Sequence, residues 1–117
     1  MFFEGRELKL YSEPVSSSEL QEGAIYFFVN FVDEQMLIPM METVVFIGRN
    51  RESGDVGRVY FQDIESYREG TPYDWDTEDG WAKFQSGSEN ELGHVFNYEK
   101  ALEVLLRCSL RRNEAGI

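Results

Sequence analysis

Two runs rich in Val, Ile, Phe and Tyr, residues 43–48 (TVVFIG) and 58–64 (RVYFQDI), stand on either side of a polar stretch that holds Gly54, Asp55 and Gly57. Branched and aromatic side chains favour the pleated backbone, and the residue types between the runs accept the positive φ of a chain reversal. Residues 43–64 therefore predict a β-hairpin. Period two puts Val59 and Phe61 on one side of the second arm and Tyr60 and Gln62 on the other, so at least one face is dry. The rest of the chain is placed around this hairpin.

Residues 24–32 (AIYFFVNFV) carry Ile25, Phe27, Val29 and Phe31 on one face, while Tyr26, Phe28 and Val32 make the other face largely apolar as well. A strand greasy on both faces belongs in the centre of a sheet or beneath a helix or loop. Asp33, Glu34 and Gln35 turn the chain into residues 36–42, where Pro39 has no amide to donate and argues for an edge, a bulge or a bend. Residues 4–11 alternate loosely and read as a short edge strand. Residues 12–23 (SEPVSSSELQEG) are a connector in which Ser17 or Ser18 caps one helical turn that Gly23 ends. A short strand is expected at 81–85, and residues 94–96 form a last strand or a lead-in.

Asn97 suits the N-cap of a helix running from Tyr98 to Arg112 or nearby. Ala101, Leu102, Leu105, Cys108 and Ser109 lie along one stripe at helical spacing, widened by Val104 and Leu106. Glu99 and Glu103 come early and Arg107, Arg111 and Arg112 late, which suits the helix dipole, and Glu103 precedes Arg107 by the favourable four residues. These elements predict an α+β fold: a bent antiparallel β-sheet or small partly open barrel of about 4–6 strands, with the C-terminal α-helix packed on one face. At 117 residues the chain suits a single domain, residues 1–117. Residues 20–29 (LQEGAIYFFV) and the meander after them resemble the opening of SH3-like small barrels, over a fraction of the chain and without a diagnostic motif.

Aromatic residues make up 15% of the chain, which implies a core built on large flat side chains. Acidic residues number 22 against 11 basic ones, giving a formal charge of −11. Such a surface repels nucleic acid, and a partner recognised by charge is expected to be basic: a cationic peptide or protein, a metal ion or an amine. The single cysteine, Cys108, excludes an internal disulfide and a multi-cysteine zinc site within one chain, and suits a reducing compartment. The opening MFFEGRELK has no basic segment followed by a long apolar one, and the apolar run at 24–32 is interrupted by Asn30 and too short to span a bilayer. The expectation is a cytoplasmic protein without membrane attachment.

The stretch with the most unusual chemistry is 63–91, where nine acidic residues face only Arg68 and Lys83. Within it, Tyr73, Asp74, Trp75, Asp76, Glu78, Asp79 and Trp81 interleave rings with carboxylates. Ring faces beside negative charge suit a lysine, an arginine or a methylated amine; the competing reading turns the rings inward to close the core. Asp74, Asp76, Glu78 and Asp79 before Gly80 invite a calcium reading, but counted from Asp74 the glycine falls one place late and position twelve is Gln85 where a bidentate Glu is required. Neither a metal nor another cofactor is expected.

His94 and Cys108 are the one nucleophile pair of thiol and imidazole that the composition permits, yet Cys108 lies on the apolar stripe, where burial works against the thiolate. No residue is assigned a catalytic role. Gly48, Gly54 and Gly57 straddle a hairpin and lack the helix N-terminus of a phosphate loop. The expected function is a non-enzymatic interaction module for a basic protein or peptide, of which a bacterial immunity or inhibitor protein is one example. The alternatives are a small enzyme using carboxylates in a cleft, and a structural homodimer joined through residues 24–32 or 36–41.

Overall fold

The computed structural model describes residues 13–74 and 83–116. Five strands, β1 (Ile25–Phe31), β2 (Pro39–Arg49), β3 (Arg58–Asp63), β4 (Phe84–Ser88) and β5 (Val95–Phe96), form one antiparallel sheet in the order β4-β3-β2-β1-β5. A short helix, α1 (Ile64–Arg68), follows β3, and α2 (Tyr98–Ala115) follows β5 and packs against the sheet. The arrangement is α+β, and with β4 and β5 at its two sides the sheet is open rather than closed into a barrel. The edge strand expected at 4–11 lies outside the described residues.

The predicted hairpin is β2 and β3, paired from Val44 opposite Asp63 to Arg49 opposite Val59. Its register shifts between Phe46 and Gly48, a bulge that Gly48 permits. Gly48 sits at φ 125°, and a Cβ there would come within 2.9 Å of Glu22 Oε1. The reversal itself is held at its base by Asn50, whose amide donates to Arg58 O (3.0 Å) and whose Oδ1 accepts from Arg58 N (2.9 Å). Pro39 is the first residue of β2, the position in a strand that tolerates a missing amide.

Both faces of the central strands are covered. On one face Tyr26, Phe28, Val44, Phe46, Val59 and Phe61 form a cluster with Val15, Leu20, Leu92 and Val95. Phe61 is its centre, with ring centroids of Phe28, Phe46 and Tyr26 at 5.0, 5.6 and 6.4 Å. On the other face Phe27, Val29 and Phe96 pack against Ala101 and Val104 of α2, while Val45, Ile47, Tyr60 and Phe84 pack with Ile64 and Tyr73.

Helix α2 begins as predicted, with Asn97 Oδ1 accepting from Lys100 N at 3.0 Å, and ends at Gly116 in the left-handed conformation. Its contact face differs from the expected stripe. Ala101, Val104, Arg107 and Cys108 are buried, whereas Leu102 and Leu106 are 51% and 42% exposed. The sequence offers two apolar stripes about one notch apart around the helix. Ala101 and Val104 of the inner stripe pack with Phe27 and Phe96 of the sheet.

Three further differences are local. The irregular excursion expected at 63–91 contains α1 and β4. Asp63 caps α1, its carboxylate accepting from Ser66 N (3.0 Å) and Ser66 Oγ (2.6 Å). The strand expected at 81–85 is placed at Phe84–Ser88, paired along β3. The 3-10 turn Ser17–Glu19 is capped by Ser16 rather than Ser17 or Ser18, with Ser16 Oγ donating to Glu19 Oε1 at 2.7 Å. Among the described residues no helix is long and apolar enough to cross a membrane.

The β1–β2 turn is tied down from two sides. Inside it, the Asp33 carboxylate accepts from the amides of Leu37 (3.0 Å) and Ile38 (2.9 Å). From α2, Arg111 Nε and Nη2 donate to Met36 O at 3.1 and 2.9 Å, and Arg112 Nη1 donates to Leu37 O at 3.0 Å. Met36 adopts φ 58°, a left-handed conformation held by these bonds.

If Phe61 centres one core face as described, Phe61→Ala lowers unfolding free energy by ~3–5 kcal/mol. Leu106→Ala, on the outer side of α2, changes it by less than ~0.5 kcal/mol. Urea denaturation of the two variants beside the parent chain measures both.

Candidate functional site

The acidic aromatic stretch enters the described structure at Tyr73 and Asp74; Trp75, Asp76, Glu78, Asp79 and Trp81 lie outside the described residues. After α1, residues 70–74 run back along the sheet. Buried Gln62 fixes this course by donating from Nε2 to Thr71 O (3.0 Å) and Ser66 Oγ (2.9 Å). Tyr73 then lays its ring edgewise against Tyr60 (5.7 Å) and Phe84 (5.1 Å). Half-buried Tyr73 thus closes the cluster over β2, β3 and β4, and exposed Asp74 follows it outward.

The Tyr73 ring already has a cation over it. Arg51 places its guanidinium 5.1 Å from the ring centroid while donating to Ile47 O from Nε (3.0 Å) and Nη2 (2.6 Å). The Tyr73 hydroxyl donates to Glu52 Oε1 at 2.5 Å. Burial, with this carboxylate beside it, pushes the Tyr73 phenol well above its ordinary value, so it stays a neutral donor. Tyr60 is raised in the same way, by burial and by the Asp55 carboxylate to which its hydroxyl donates.

Arg51 is one example of a pattern. Arg49 donates to the backbone oxygen and hydroxyl of Ser17 and reaches Glu89 at 3.1 Å. Arg58 donates to Ser86 Oγ at 2.9 Å and lies 4.0 Å from Asp55. Glu103 stands 3.7 Å from Lys100 and 3.9 Å from Arg107. Arg111 and Arg112 clamp the β1–β2 turn. The cations therefore act as staples within the fold. Glu34, Glu65, Glu69, Asp74, Glu91 and Glu114, by contrast, are exposed. These arginines keep partners within the fold while Arg49 and Arg51 remain exposed, so the negative field follows from the net charge of −11 itself. Nothing in the sequence marks which cations turn inward, since their acceptors are mostly backbone oxygens remote along the chain.

Other candidate chemistry separates. Cys108 is buried on the sheet-facing side of α2, its Sγ 3.4 Å from Leu37 O. His94 packs its ring 4.9 Å from Phe28. Among the described residues no group of three His, Cys, Asp or Glu side chains is disposed to hold a metal ion. Sequence reasoning did not identify a cavity of about 330 Å³ beside the C-terminal half of α2, lined in part by His94, Arg107 and Arg111. Its walls come from residues 29–36, 93–96 and 104–111, which only the fold brings together.

Compared with protein-family models, curated proteins and solved structures, the chain matches none.

Burial pushes the His94 imidazole below its ordinary value, so the folded chain takes up that proton at lower pH than the unfolded chain does. The neutral form is the one the fold accommodates. Stability from this source is therefore intact above about pH 6.5, the unfolded-state value, and falls as pH is lowered through it. Urea midpoints measured from pH 7.5 to 5.5 decline with falling pH in the parent chain and decline less in His94→Gln.

Proposed function

We propose that this chain is a non-enzymatic interaction module that binds a basic protein or peptide through its acidic surface, with the ring-bearing stretch Tyr73, Asp74, Trp75, Asp76, Glu78, Asp79 and Trp81 as the contact. One observation carries the reading: arginines are engaged by the Ser17, Ile47, Met36 and Leu37 oxygens, while Glu34, Glu65, Glu69, Asp74, Glu91 and Glu114 are exposed. A field of one sign steers an oppositely charged partner and raises its rate of association. Tyr73 holds the base of the stretch against the sheet, so whatever follows Asp74 leaves from a fixed point. A protein that inhibits or neutralises a basic enzyme has this character. Buried Cys108 suits a reducing, cytoplasmic setting.

A second reading, self-association, draws on the apolar residues around the β1–β2 turn. Val32, Ile38, Met40 and Met41 are 62%, 49%, 55% and 50% exposed, a concentration of apolar surface at one end of the sheet. By contrast, residues 26–29 are buried on both faces within the single chain.

The deciding experiment is affinity capture from the source cell followed by stopped-flow association with the captured partner. We expect a partner with a basic surface, an association rate that drops about tenfold or more between low and high salt, and weaker binding by Trp75→Ala and Trp81→Ala. Binding that responds neither to ionic strength nor to the two tryptophan substitutions sinks the reading. Sedimentation velocity decides the second one, since a monomer at every working concentration removes it.

A further inference from the structure

Helix α2 is apolar on two sides. Ala101, Val104 and Cys108 are buried toward the sheet, while Leu102, Leu106 and Leu110 stand exposed on the opposite side, Leu110 by 51%. The three leucines are four residues apart, so the row advances about 6 Å per step and stays on one side of the helix. Tyr98, 62% exposed although its ring meets Phe27 edge-on at 4.8 Å, extends the row by one turn. Single exposed leucines need no explanation, but a helix apolar on opposite sides is the kind that is covered on both.

The row is also free of charge. From Leu102 to Asn113 the exposed positions of α2 are Leu102, Leu106, Ser109, Leu110 and Asn113, in a chain where charged residues make up 28%. Centres of protein interfaces are depleted in charge in this way. A cationic partner meets no exposed carboxylate of α2 along this stretch and would have to strip water from its own charges against leucine. A second uncharged row carries no such cost.

The spacing fits the row to itself. Leu102 and Leu110 are equally far in sequence from Leu106, so two helices crossing antiparallel at Leu106 set each Leu102 against Leu110 of the other copy. Leu106 then meets Leu106, which is the isologous contact of a two-fold dimer. With Tyr98, Ser109 and Asn113 beside the leucines, each copy offers roughly 500–600 Å², and the pair reaches the ~1,000 Å² at which specific interfaces begin. A dimer held by this row alone is therefore a weak one.

We infer that the outer row of α2 is a homodimer contact, with two copies packed antiparallel about a two-fold axis at Leu106. It is independent of the acidic aromatic stretch and of the apolar residues around the β1–β2 turn. Exposed Glu99 and Glu114 bracket the row, and the antiparallel arrangement brings Glu99 of one copy toward Glu114 of the other. These like charges, added to −11 on each chain, oppose association at low salt. Screening relieves them, so this dimer tightens as salt rises, opposite to the capture of a basic partner.

Sedimentation velocity of the full chain between about 1 μM and 1 mM tests this. A monomer–dimer equilibrium is expected, with a dissociation constant of about 10–100 μM that falls about threefold or more between roughly 50 and 500 mM NaCl. Leu106→Glu sets two carboxylates against each other on the axis and is expected to leave only monomer, with the far-ultraviolet circular dichroism of the parent. Leu106→Cys is the second variant: on mild oxidation it links to itself, whereas Leu102→Cys and Leu110→Cys link only when mixed. Met41→Glu, at the other exposed apolar surface, leaves the dimer intact. A monomer at every concentration, a dimer that survives Leu106→Glu or is broken by Met41→Glu, or self-linking of Leu102→Cys each overturns the inference. So do nuclear Overhauser contacts in a monomer between the Leu106 methyls and Phe2 or Phe3, which would assign the row to residues 1–12 of its own chain.

Discussion

The constraint on which the structure depends is that its middle strands are apolar on both faces. Tyr26 to Val29, Val44 to Ile47 and Val59 to Gln62 are buried without interruption. A sheet of this kind cannot leave one side in water, as most antiparallel sheets do, so segments outside it serve as cover. Val15, Leu20 and Leu92 seal one side. On the other, α2 covers the half over β1 and β5, and Ile64 with Tyr73 covers the half over β2, β3 and β4. Tyr73 is therefore a structural member before it is anything else, and the acidic stretch is anchored because its first ring completes a core.

Hydrophobic cover alone does not fix where connecting segments lie, and here arginine does that work. A guanidinium is always charged, planar and well supplied with donors, so it can take two bonds from one carbonyl oxygen or bridge segments far apart in sequence. Arg49 joins β2 to the 3-10 turn and to Glu89, Arg51 folds back on Ile47 beneath Tyr73, and Arg111 and Arg112 fasten the β1–β2 turn to α2.

How much of this is legible in the sequence follows from the range of each interaction. The hairpin and the N-cap of α2 are set within a few residues, by β-branched runs and by Asn97, and the sequence shows them. The side of α2 that meets the sheet is settled by packing against Phe96 and against Phe27, which is remote in sequence, and the apolar pattern of the helix offers two answers. Helix α1 is a single capped stretch of five residues, too short for periodicity to reveal, although Asp63 three places before Ser66 is a capping spacing. For the candidate site, the acidic aromatic composition is plain in the sequence, but Arg51 on the Tyr73 ring is not. The cavity is invisible for the same reason: it exists because β5 stops two residues after it starts while β1 continues.

Local pairing and net charge pull stability in opposite directions. Net charge acts over the whole surface and opposes compactness through self-repulsion, so a charge of −11 lowers stability unless local pairing offsets it. The offset here is internal: Glu103 between Lys100 and Arg107, Glu89 with Arg49, Asp55 with Arg58. Pairing of this kind engages Arg49, Arg58, Lys100 and Arg107, while acidic residues outnumber basic ones by 22 to 11. Arg111 and Arg112 fasten the β1–β2 turn through the backbone oxygens of Met36 and Leu37, so part of the positive charge serves to hold segments together as well as to balance carboxylates.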